Sequence, residues 1–149
     1  MNIFKNERIG FFILLIFILG FALIKLAKKD SISIMSNRRE PSYIVIGTVQ
    51  AKERYDKQTH IFVDARRNLI YRLGHIKNAV NFPSDSYHHA VIKFEKKFPK
   101  NTGIVIYCDG SSCSSSYILA NMLTKRGYKK IEVFYGGWNE WVNSSFPIE

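Results

Sequence analysis

Residues Ile9 to Ile24 form one apolar run of sixteen positions without a charge, and past Tyr43 the pattern changes to short apolar runs alternating with helical spacing. With Lys25 snorkelling its ammonium to the headgroups, the run extends over residues 9–27 and reaches the lower length limit for a bilayer span. It predicts a transmembrane anchor, with residues 1–8 as a short tail and 28–41 as a polar linker. No small-x-small cleavage site follows Ala27, which argues against a removed signal peptide. The basic residues after the run favour a cytoplasmic domain, whereas the short preceding tail favours an outward one. The side therefore stays open, with a lean to an extracytoplasmic location.

Beyond the linker, Ile44–Ile46 reads as a strand, and Thr48 as the cap of a helix to about Lys57. Ile61 to Val63, ending at Asp64, reads as a strand buried on both faces. Ala79 to Phe82 is another, closed by Pro83. Tyr87, Val91, Phe94 and Phe98 recur at helical spacing, predicting a helix from Ser84 to Phe98. Gly103 to Tyr107 is the clearest strand and delivers Cys108 to its carboxyl end. Tyr117 to Leu123 reads as a helix stopped at Gly127, and Ile131–Phe134 as a further strand. Strands alternating with helices predict an α/β domain over residues 42–149, with a mostly parallel sheet flanked by helices. Ligands of such sheets sit at the carboxyl ends of the strands.

Composition narrows the class. In 149 residues, 46% are hydrophobic and 23% charged, close to globular averages, which excludes a disordered or collagen-like chain. Two cysteines exclude a disulfide scaffold. Lys and Arg number 22 against 12 Asp and Glu, a net charge of +10. The excess is spread over the chain, with clusters at Lys93, Lys96, Lys97 and Lys100 and at Lys125, Arg126, Lys129 and Lys130. These read as solvated helix ends near an anionic membrane surface, not as a nucleic-acid site. Adjacent His88 and His89 point in different directions on a helix, so no metal site and no cofactor are expected.

The chemistry gathers after the clearest strand. Cys108 is followed by Asp109, Gly110, Ser111, Ser112, Cys113, Ser114, Ser115 and Ser116. Glycine and serines let backbone amides turn inward as an anion-binding nest, and the helix start adds its positive end. A thiol there is expected to have a lowered pKa and to act as a nucleophile or persulfide carrier. Cys113 reads either as a thiol that resolves Cys108 by closing a disulfide or as a small space-filling residue.

The segments Phe62 to Arg66, Gly74 to Pro83, the cysteine loop, and Gly136-Gly137-Trp138 resemble the rhodanese (sulfurtransferase) family in order and spacing. The resemblance covers about Tyr43 to Pro147. It implies a five-stranded, mostly parallel sheet and a cysteine that moves sulfane sulfur from a small donor such as thiosulfate to a thiol acceptor. Cys108 matches the persulfide-forming position. Asp64 and Arg66 match a bracing pair, and His75 a structural glycine-histidine turn. The arginine that commonly closes the family's six-residue loop is absent: that position holds Cys113, or Ser115 if the loop is two residues longer. The loss of a fixed, bidentate cation weakens thiosulfate binding. The alternative expectation is a catalytically silent rhodanese fold serving as an interaction module or accessory subunit of a larger membrane complex.

Overall fold

A computed structural model of the chain describes residues 15–26 and 43–149. The chain divides into two units, Met1–Glu40 and Pro41–Glu149. In the first, residues 15–26 are helical. The transmembrane anchor expected over 9–27 is overturned: among the described residues no helix is long and apolar enough to cross a membrane. The single-pass membrane location and its extracytoplasmic lean fall with it. The tail (1–8), the ends of the expected anchor and the linker (28–41) lie outside the described residues.

The second unit is built on a five-stranded parallel sheet, in agreement with the expected α/β class. The strands are β1 (Ile44–Ile46), β2 (Ile61–Asp64), β3 (Val80–Asn81), β4 (Gly103–Tyr107) and β5 (Lys130–Phe134), in the spatial order β1-β5-β4-β2-β3. Every pairing is parallel, with Phe62 opposite Val105 and Val105 opposite Glu132 across the centre. β4 is buried at all five positions, as a strand covered on both faces must be.

Alternation along β4 divides the core. Ile104 and Ile106 enter one cluster with Phe94 of helix α3 (Tyr87–Lys97) and Leu119 and Leu123 of α4 (Ser115–Lys125). Val105 and Tyr107 enter the opposite one with Ala51 of α1 (Thr48–Asp56) and Trp141 of α5 (Gly137–Asn143). A short helix, α2 (Asn68–Leu73), links β2 towards β3.

Several element boundaries differ from the pattern reading. The helix expected from Ser84 starts as a 3-10 turn at Ser84–Ser86 and becomes α-helical only at Tyr87. Gly47, not Thr48, caps α1, because the Thr48 hydroxyl donates to the Glu140 carboxylate instead. The expected strand Ala79–Phe82 is cut to two residues, since the Ala79 amide closes a turn onto Ile76 O at 2.9 Å. Helices α2 and α5 were not foreseen. Neither has a long apolar stripe, and no residue of α2 is buried.

Candidate functional site

Parallel strands bring their carboxyl ends to one edge of the sheet, and β4 ends there at Cys108, which is 2% exposed. The chain then turns through Asp109 to Ser114, with the Cys113 amide donating to Gly110 O at 3.0 Å, and enters α4 at Ser115. The loop is held from outside by the start of α5. The Trp138 amide donates to Cys108 O at 2.8 Å and the Asn139 amide to Asp109 O at 2.9 Å. First-turn amides of a helix have no partner within it, and here the loop's carbonyls supply them. The close approach requires Gly137, at φ 58°, where a Cβ would lie 2.4 Å from Cys108 O.

Inside the loop, the Cys108 Sγ faces three oxygens. It reaches Cys113 O at 3.3 Å, Ser116 Oγ at 3.4 Å and Gly110 O at 3.9 Å. Ser116 is buried in the first turn of α4, whereas Ser114 is exposed. Ser111, Ser112 and Asp109 are exposed, and Gly110 and Ser115 half-buried.

The expected lowering of the Cys108 pKa is overturned. Burial, with a hydrogen bond to Cys113, pushes the Cys108 thiol up to about 11 against the opposing bonds from Ser116. Carbonyl oxygens cannot donate to a thiolate, and the buried site offers little water. Cys108 is therefore held mainly as the thiol at neutral pH. Cys113 is different: it is half-buried. Burial pushes its thiol up, but the Cys108 thiol, the amides of Ser115 and Asp109 and the Ser115 hydroxyl outweigh it and hold the thiol below its ordinary value.

Asp64 and Arg66 sit beside the loop at the end of β2. Arg66 Nε bonds both Asp64 oxygens at 3.0 Å, and Nη2 reaches Asp64 Oδ2 at 2.6 Å and Gly74 O at 2.8 Å. The guanidinium also lies 4.7 Å from the Trp138 ring centroid and brings Nη1 within 3.8 Å of Asp109 Oδ1. Arg66 thus ties β2, the Gly74 turn, α5 and the cysteine loop together. Its Nε and Nη2 donors are thereby committed to Asp64 and Gly74.

His75 is not at the loop. It stacks on Tyr71 and bonds Tyr71 O at 2.9 Å and Glu149 Oε1 at 3.2 Å. Sequence reasoning missed Tyr107, whose buried hydroxyl accepts the Ile76 amide at 3.1 Å and so fixes the turn after Gly74. It also missed the clamp on the loop by the Trp138 and Asn139 amides. Among the described residues, no group of three metal-ligating side chains is present.

A family model described as the rhodanese-like domain matches residues 48–144. The tRNA uridine(34) hydroxylase of Photorhabdus laumondii subsp. laumondii is 30% identical over 101 residues, covering 64% of this chain and 27% of that protein. Its counterpart from Yersinia pestis is 32% identical over 103 residues, with the same shares. The chain therefore spans about a quarter of the length of these curated relatives. A rhodanese-related protein from Thermoplasma volcanium has a TM-score of 0.60 at 19% identity, covering 72% of this chain and 98% of its own. A Bacillus halodurans protein has a TM-score of 0.64 at 20% identity, covering 84% and 85%. These two likenesses concern the fold alone. With the family model spanning α1 through α5, the chain belongs to the rhodanese-like family.

Proposed function

We propose that the chain is a rhodanese-like sulfurtransferase that carries sulfane sulfur as a persulfide on the loop between β4 and α4, with Cys108 as the holding site. The supporting observation is a pair of thiols in one tight loop at the carboxyl end of the central strand, the inner one beside the Ser116 hydroxyl. A cysteine thiolate attacks the sulfane sulfur of a small donor such as thiosulfate, and sulfite leaves with the electron pair of the broken S–S bond. An acceptor thiolate then attacks the outer sulfur of the persulfide, and the cysteine sulfur leaves with the electrons. Binding of the donor anion rests on amides and hydroxyls without a guanidinium, so persulfide donors are expected to compete well with thiosulfate.

Intact-mass measurement of donor-treated protein tests the reading. The wild type is expected to gain one sulfur, mapped to Cys108, and the Cys108→Ser/Cys113→Ser double variant none. No gain in the wild type, or an equal gain in the double variant, refutes it. A second reading, a catalytically silent interaction module, is favoured by the depth of Cys108 and expects no gain at all.

A further inference from the structure

We infer that sulfur enters this loop through Cys113 and is then passed inward to Cys108, so that Cys113 is the thiol that meets the donor. This rests on the sulfurtransferase reading and specifies its order of events.

The two thiols occupy opposite environments within one turn of chain. Cys108 is 2% exposed and its sulfur is surrounded by Gly110 O, Cys113 O and Ser116 Oγ, so a donor cannot approach it without moving the loop. Two of those neighbours are carbonyl oxygens, which repel a developing anion. Cys113 is partly open to solvent, and against the burial that raises it, hydrogen bonding with the Cys108 thiol, the Ser115 and Asp109 backbone and the Ser115 hydroxyl holds its thiol below the ordinary value. Those donors stabilise both the attacking thiolate and the persulfide anion it becomes. The Cys108 thiol donates its proton to Cys113 O at 3.3 Å, so the inner sulfur is the proton holder of the pair.

The sequence of bonds follows. The Cys113 thiolate attacks the sulfane sulfur of thiosulfate, an S–S bond forms, and sulfite leaves with the pair from the bond that breaks. Cys108 then attacks the sulfane sulfur held on Cys113. The bond between that atom and Cys113 breaks, and the proton Cys108 gives up ends on the Cys113 sulfur. One sulfur atom has moved inward, and no outside oxidant or reductant is consumed.

Single-turnover loading of the full chain with thiosulfate, read by quenching and peptide mass mapping, separates the steps. Cys108→Ser is expected to retain its sulfur on Cys113, with inward transfer lost. Cys113→Ser is expected to load Cys108 about tenfold or more slowly, with a rate still climbing above neutral pH because only the inner thiol remains. Loading of Cys113→Ser at the wild-type rate, together with no sulfur on Cys108→Ser, overturns the order while leaving sulfur transfer intact. Absence of loading in the wild type instead overturns the function. Iodoacetamide on the untreated wild type gives a check free of substitutions: carbamidomethylation of Cys113 before Cys108 supports the order, and the reverse refutes it.

Discussion

Glu132 lies in the middle of β5 and is 6% exposed, yet it carries a carboxylate. Arg54 of α1 meets it with Nε at 3.2 and 3.1 Å from the two oxygens and Nη2 at 3.2 Å from Oε1. Removing one partner of such a pair leaves the other desolvated and unpaired, which costs more than the pair contributes. Arg54 keeps its side chain 27% exposed, so water offsets part of the loss. Arg54→Ala is expected to destabilise the domain by about 1–3 kcal/mol in urea denaturation. Glu132→Gln, which keeps an acceptor, should cost less. An Arg54→Ala midpoint unchanged from wild type would mean that solvent already satisfies the carboxylate. A glutamate inside the run Ile131 to Phe134 was a visible signal that a partner had to exist. Which partner was not visible, because Arg54 is 78 positions away. The same limit misplaced the acidity of the loop: the sequence shows two thiols in one loop, and only the fold shows which of them is buried.

At the scale of elements, legibility followed the length of the pattern. β4, β5 and α4 were readable because burial on both faces or a long apolar stripe leaves a trace in the residues themselves. α2 was not, because its Leu69, Ile70 and Leu73 are exposed and no face is buried. α5 spans only seven residues, and its role lies in the backbone of its first turn. Gly136-Gly137-Trp138 was legible as a segment of the family resemblance, without its target. The target gives a test. Gly137 combines φ 58° with a Cβ position 2.4 Å from Cys108 O, whereas Gly127 at φ 92° has nothing within 4 Å. Gly127→Ala should therefore lose only the backbone preference, about 1 kcal/mol. Gly137→Ala adds a collision with the loop carbonyl and is expected to cost about 3 kcal/mol or more and to slow sulfur loading. Equal losses in thermal and urea unfolding would mean that α5 gives way without disturbing the loop.

Across the whole unit, the parallel sheet separates two kinds of chemistry. The thiol loop occupies the carboxyl ends of the strands, while His60 stands just before β2 and approaches Glu132 at 3.9 Å. Glu132 is opposite Val105, and three residues of strand, about 10 Å, separate Val105 from Cys108. Burial lowers the His60 pKa below its ordinary value, against the pull of Glu132. The unfolded chain therefore takes up this proton near pH 6.5 while the folded one resists it. The stability tied to a neutral His60 is fully present above about pH 6.5 and is lost as pH falls below it. The lowered carboxyls of Glu53, Glu95 and Glu149 act in a different window, losing their contribution only as pH falls through and below the ordinary carboxylate range. Between about pH 7.5 and 5.5, urea midpoints should thus fall more steeply for wild type than for His60→Gln. Sites about 10 Å apart with no shared partner are close to independent, so His60→Gln should leave sulfur loading at pH 7.5 within about twofold of wild type. A larger change in loading would show that the strands transmit strain from one end of the sheet to the thiols at the other.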